Sequence, residues 1–174
     1  LDGRRIGGIV HCGWPQLDNT RLIALGPSAA AAVRHCVSDP LEQIIALARL
    51  LEKRGVDGAS LVLVGSVFAL PGRHGFRSPL YCLAKSLIPL LVNILAVELG
   101  ARNQRCIGVV FDVLEGMGMN AGISPAVKLA HSDRSPFGKL ASVDEAAAQI
   151  QWLLSNGSMF VSGATITLSG GSIP

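Results

Sequence analysis

Tyr81 is the only tyrosine of the 174-residue chain, and Lys85 follows it by four positions at the head of a long apolar run. On an α-helix, residues i and i+4 share a face, so a phenol and an ammonium at this spacing point into the same space. A cation beside a phenol favours the phenolate and lowers a pKa that is otherwise about 10, bringing proton exchange toward neutral pH. Ser66, upstream at the end of another apolar run, adds a hydroxyl that could hold an oxygen. The three residue types together suit acid–base chemistry at a carbonyl or alcohol oxygen. A solvated lysine one turn below a half-buried tyrosine would give the same spacing, so the surrounding elements must discriminate.

Residues 61–64 are apolar and largely β-branched, and Gly65-Ser66 follows, which predicts a buried parallel strand ending in a small polar residue. In open α/β sheets chemistry collects at the carboxyl ends of strands, where Ser66 would lie. Residues 80–99 are apolar on nearly every face, with Ser78 as expected N-cap, Pro79 at the first helical position and Gly100 as the stop. A helix this apolar is expected to be buried on more than one side, against a sheet and another subunit. Pro89 removes one of its hydrogen bonds and should bend it.

Residues 41–54 have apolar positions at helical spacing and end at Gly55, and Ser142 with Glu145 forms a capping box ahead of residues 146–154. Ser38-Asp39-Pro40-Leu41-Glu42 also reads as a capped helix start. Residues 112–137, rich in Gly, Ser and Pro, read as a mobile segment over the site. These elements predict a single α/β domain, a Rossmann-like layered fold with a parallel sheet of about four strands, incomplete at one edge.

Composition supports a packed soluble domain, with 49% hydrophobic and 16% charged residues. Excess apolar surface predicts a subunit interface. The apolar stretch 87–97 contains Pro89 and Asn93 and falls short of a membrane span, so no membrane partner is expected. A net charge of +3 with scattered basic residues and 5% aromatic residues gives no nucleic-acid face. The one local basic knot is Arg73, His74 and Arg77, which could attract a phosphate-bearing substrate or be a solvated loop.

Cys12, Cys36, Cys82 and Cys106 show no metal-binding spacing, and buried thiols in a reducing cytoplasm are the expected state; no metal site is expected. Cys82 beside Tyr81 could sense the site or serve as a small hydrophobe. His11, at the end of a strand-like run, could face the crevice or be structural.

The ordered set of motifs resembles the short-chain dehydrogenase/reductase family along nearly the whole chain. Residues 6–13, ending Val10-His11-Cys12-Gly13, are similar to its fourth strand and following turn, with a flavour of ketoreductase domains. Residues 61–66 resemble the fifth strand with its serine, and Tyr81-Cys82-Leu83-Ala84-Lys85 the active-site helix. Residues 105–111 resemble the sixth strand, and residues 161–171 the terminal strand with its closing glycines.

The resemblance implies Tyr81 as general acid/base, Ser66 as a hydrogen-bonding partner of the substrate oxygen, and Lys85 as the group that lowers the tyrosine pKa and contacts the nicotinamide ribose. Tyr81, Lys85 and Gly13 are the implied contacts to an NADP or NAD cofactor, whose hydride does the redox chemistry. A small-molecule carbonyl or thioester substrate, a 3-oxoacyl thioester included, is implied, as is a homodimer or homotetramer formed through the two long helices. Met117, Met119, Ile123 and Leu129 would line a substrate-binding lid.

Departures from the pattern stand beside these matches. Ser66 and Tyr81 are 15 residues apart, slightly more than in the family. Ser38 stands where the family has an asparagine that organises a relay water. Phe111-Asp112 and Gly116 stand where Pro-Gly and a threonine hold the cofactor's carboxamide, and a ring with a carboxylate is expected to crowd or lose that contact.

No glycine-rich turn follows a strand, so the part that cradles the pyrophosphate has no counterpart in this sequence, and the chain reads as the C-terminal portion of such a fold. The leading expectation is an NAD(P)H-dependent oxidoreductase. The rival is a degenerate member that keeps the fold for assembly without turnover.

Overall fold

The computed structural model describes residues 3–15, 19–70, 78–116 and 122–173. Four strands, β1 (Ile6–His11), β2 (Gly55–Ser66), β3 (Arg105–Phe111) and β4 (Thr165–Leu168), form one sheet in the order β1-β2-β3-β4, parallel throughout. Alternation along β2 and β3 explains why they are central. Leu61, Leu63 and Cys106 face one side with Ile44, Ala48 and Leu51 of α2 (Asp39–Arg54) and Ile88, Val92, Leu95 and Leu99 of α4 (Ile88–Gly100). Val62, Ile107, Val109 and Phe111 face the other side with Ala146 and Leu153 of α6 (Val143–Leu154). Side chains of period two cannot satisfy both faces unless both are covered, which makes these strands near-continuous apolar runs.

The expected helix over 80–99 is two helices in line, α3 (Pro79–Ser86) and α4, interrupted at Leu87. The break lies two residues before Pro89, whose missing N–H and fixed φ end the preceding ladder. Pro79 does open α3, but Ser78 makes no side-chain cap; it sits at φ 54 and its hydroxyl donates to Asn19 Oδ1 at 3.0 Å. The helical span Pro79–Gly100 covers 22 residues with a mean hydropathy of 2.0, enough by length and composition to cross a membrane, more than the count over 87–97 suggested. Its inner side is core, through Leu80, Ala84, Ile88, Val92, Leu95 and Leu99.

The second expected cap is absent too. Ser38 is helical, with no side-chain cap, because α1 (Ala29–Val33) runs through a π turn at Arg34–Ser38 directly into α2. Cys36, buried at that turn, holds the segment against the fold, and the turn packs on α3. Around the predicted mobile segment, residues 125–132 form α5 (Pro125–Ser132), started by Ser124, whose hydroxyl accepts from Val127 N. The Ser142–Glu145 capping box is formed as expected.

At the amino end of the sheet, Arg105 is a buried cation that pairs with no carboxylate among the described residues. Its guanidinium donates to the carbonyls of Leu153 (3.2 Å), Ser155 (3.5 Å), Ser158 (2.8 Å) and Val161 (3.4 Å), and through Nε to Gly58 (3.3 Å). These carbonyls end α6 and begin the path to β4, so the charge meets the negative end of a helix dipole and a set of orphan acceptors. Arg105→Met should strand those acceptors and lower the unfolding free energy by about 3 kcal/mol, read from denaturant midpoints, with the helical content of α6 falling first. An unchanged midpoint would mean that water replaces the guanidinium.

Candidate active site

Ser66 is the last residue of β2 and pairs in register with Phe111, the last of β3. Gly65 before it allows the strand to lie close to its neighbour, since a Cβ there would fall 2.8 Å from Val110 Cγ2. The Ser66 hydroxyl accepts from Phe68 N at 3.3 Å and also hydrogen-bonds Tyr81 from α3. One turn on, the Lys85 amine donates to the carbonyl of Val64 at 2.6 Å and lies 5.5 Å from the centroid of the Tyr81 ring. The three side chains named from the sequence therefore meet at the carboxyl end of β2, where a half-buried phenol faces a serine hydroxyl over a buried amine.

The electrostatics correct one expectation. Burial pushes the Tyr81 hydroxyl above its usual value; the Ser66 hydrogen bond opposes the rise and Cys82 adds to it. Lys85 does not drive the phenol down, because burial pulls its own amine down to about 7, with Cys12 favouring the charged form. A cation that is half neutral at pH 7 and directed at a carbonyl has little field left for the phenol. Tyr81 thus stands protonated at neutral pH, as an acid.

Gly13 lies just beyond β1, with the position of a Cβ 3.9 Å from Gln43 Oε1 and 4.0 Å from His11 Nε2. Packing alone would admit an alanine there. Its neighbour Trp14, which no sequence motif singles out, places its ring centroid 4.6 Å from Lys85 Nζ. The ring also meets His11 edge-on at 5.5 Å, with 80° between planes. His11 is 4% exposed and neither of its ring nitrogens closes a hydrogen bond, although Gln43 is near enough to favour the imidazolium; burial and Lys85 hold its pKa down. A tryptophan three residues after a strand that ends beside the site was the only available signal.

Phe111 does not crowd the site. Its ring turns into the α6 side of the core, while the Asp112 carboxylate accepts from Val113 N (2.8 Å) and from Ser172 Oγ (2.5 Å) and faces His131 of α5 at 3.8 Å. The carboxylate thereby takes a backbone N–H that a ligand amide could otherwise have used. Behind it a cavity of about 290 Å³, lined by Phe111, Asp112, His131, Phe137 and Leu168, opens on the α6 side of the sheet, opposite the tyrosine helix.

Ile123 is half-buried and Leu129 is 62% exposed. Met117 and Met119 lie outside the described residues, as do Arg73, His74 and Arg77. The four cysteines are thiols and not disulfides, Cys36 and Cys106 buried, and among the described residues no cluster could hold a metal.

Known proteins share both the sequence and this architecture. A family model described as Enoyl-(Acyl carrier protein) reductase matches residues 29–172. L-xylulose reductase of Cavia porcellus is 30% identical over 163 residues, covering 89% of this chain and 66% of that protein. D-erythrulose reductase of Gallus gallus is 30% identical over 127 residues, covering 72% of this chain and 50% of that protein. The chain thus spans between half and two thirds of the length of these curated relatives. A short-chain dehydrogenase/reductase from Brucella melitensis, described as glucose/ribitol dehydrogenase, superposes with a TM-score of 0.83 at 22% identity, covering 98% of this chain and 66% of that one.

The buried amine gives stability a pH signature. An unfolded lysine keeps its proton up to about 10.4, whereas folded Lys85 releases it at about 7. Between those values the unfolded chain binds more protons, so stability rises with pH across that window, and below it the full cost of a buried ammonium is felt. In denaturant melts of the parent and Lys85→Met, the parent should gain on the variant steadily from pH 7 to 10. A difference that stays constant with pH would refute the buried, depressed amine.

Proposed function

This chain belongs to the short-chain dehydrogenase/reductase family, and from that membership together with the site geometry we propose that it carries the acid–base centre of an NAD(P)H-dependent carbonyl reductase. The observation that carries the reading is the convergence of Ser66, Tyr81 and Lys85 at the end of β2. The residues present suit the nicotinamide and ribose end of a dinucleotide. Among the described residues Lys85 makes one hydrogen bond and keeps further donors and Trp14 Nε1 is buried beside it without a partner, while Gly13 has no side chain to obstruct approach. Among the described residues no glycine-rich turn between a strand and a helix offers the cradle that a pyrophosphate needs.

When bound, the cofactor supplies a hydride to the carbonyl carbon. Ser66 donates to the substrate oxygen and orients it, and Tyr81 transfers its hydroxyl proton to that oxygen as the alcohol forms, becoming phenolate until it is reprotonated. A phenol held above its usual pKa by burial is fully protonated at pH 7, which suits reduction rather than oxidation. Lys85 stabilises the transient phenolate to the extent that it is charged. Two relatives named for keto-sugar reduction support a small polar ketone as substrate, while the description of the family model keeps an acyl thioester in view. A cytoplasmic setting is part of the proposal, one in which a reducing environment would keep the four cysteines as thiols.

We further propose that the protein is a homo-oligomer formed through α2 and α4, whose outer faces expose Ile45 (38%), Leu90 (60%), Ile94 (46%) and Val97 (80%). One observation favours the rival reading of a fold kept for assembly alone: Asp112 takes the Val113 N–H at the point where relatives grip the carboxamide.

Tyr81→Phe deletes only a hydroxyl, so the intact gene product should lose carbonyl reduction by about 10²- to 10⁴-fold with its thermal midpoint nearly unchanged. Reduction at the parental rate would remove Tyr81 from the chemistry. Absence of reduction in the parent across ketone and thioester panels, with either cofactor, would favour the assembly reading. Leu90→Glu with Val97→Glu should convert the oligomer to monomer in light scattering; an unchanged mass would place the interface elsewhere.

A further inference from the structure

Lys85 lies in surroundings that supply it little charge compensation. Among the described residues no carboxylate pairs with it, and one carbonyl accepts from it. The titratable groups facing it are His11 and Cys12 from the end of β1 and Tyr81 from its own helix, with Cys82 acting on Tyr81; α2 contributes the neutral Gln43 beside His11. What lies over the amine is an aromatic face. An indole presents negative quadrupole charge above its ring, and a centroid distance of 4.6 Å is within the range of about 6 Å over which a cation is attracted.

The indole is itself fixed by contacts unrelated to its polar edge. Its body packs against the core layer shared by α2 and α4, and its ring meets the buried His11 ring edge-on. Among the described residues its Nε1–H has no partner, so orientation comes from the two ring contacts. Simple packing would more cheaply turn that N–H toward water or a carbonyl.

We infer that Trp14 is a positioning residue for Lys85: its face holds the amine in place over the end of β2, and His11 braces the indole from behind. This deepens the proposed site and rests on Lys85 belonging to it. The aromatic contact favours the ammonium against the effect of burial, so losing it makes the amine easier to deprotonate.

The first test needs no turnover. Trp152→Phe leaves Trp14 as the sole tryptophan, since the chain has two. Its emission, followed from pH 5.5 to 9.5, should show a transition near 7 as the amine loses charge. That transition should vanish in Lys85→Met and persist in His11→Gln and in Cys12→Ser. A featureless titration, or a transition that survives Lys85→Met, overturns the inference.

The second test uses the intact gene product with a ketone and reduced cofactor. In Trp14→Leu the limb of the kcat/KM profile that belongs to Lys85 should move down by about half a pH unit or more, and Trp14→Phe, which keeps an aromatic face, should restore most of it. A loss equal at every pH and equal in both variants would make Trp14 mere packing. If the parent shows no turnover at all, the proposed function fails, and the fluorescence titration still decides the role of Trp14.

Discussion

The site is organised around the burial of one amine. Lys85 reaches the Val64 carbonyl because α3 approaches β2 at its carboxyl end, and α3 lies there because α4, continuing it past the break at Leu87, packs Ile88, Val92, Leu95 and Leu99 against β2 and β3. The helix can be so apolar only because its inner side is a sheet. Its sole charged buried residue sits one turn from Tyr81, where desolvation reshapes both acid–base equilibria. Moving the amine into water would return it toward an ordinary lysine value, while the Tyr81 hydroxyl, raised by its own burial, would stay protonated and lose the adjustable charge beside it.

Arg105 and Lys85 show two solutions to the same cost at opposite ends of the sheet. The guanidinium is always charged, so the fold surrounds it with carbonyls at the end of α6 and makes it a structural clamp. Lysine can shed its proton, so the fold gives it one carbonyl and an aromatic face and leaves its charge adjustable. The contrast follows from donor geometry: five donors in a rigid fork saturate many acceptors, while three donors on a flexible stem leave spare capacity for a ligand.

The strands and the last helix were legible in the sequence because their signals are local. Residues 61–66 are an apolar run with a glycine, and Ser142 with Glu145 is a capping box in both readings. The placement of Ser66, Tyr81 and Lys85 was legible for the same reason, since one helix turn and one strand end fix it. The expected cap at Ser38 was not formed, since Cys36 and the packing of the π turn on α3 outweigh a local start signal, and helix propensity is a weak prior against tertiary contacts. Trp14 and the direction of the Tyr81 pKa were not legible, because both depend on how deeply segments distant in sequence bury one another.

Asp112 shows why a departure in a motif need not mean a defect. A carboxylate after β3 suggested a crowded or broken contact, yet the ring of Phe111 is core and the carboxylate ties three places together: its own backbone at Val113, the turn after β4 at Ser172 and α5 through His131. Lys128 and Glu115, 3.7 Å apart, add a second link between α5 and the segment after β3. That second pair is exposed and contributes little on its own. His131 is also edge-on to Phe68, two residues beyond Ser66, at 6.0 Å. The His131 ring therefore joins the segment after β3 to the turn that follows Ser66, beside the direct pairing of Phe111 with Ser66 in the sheet, so a change at Asp112 has two short routes to the serine.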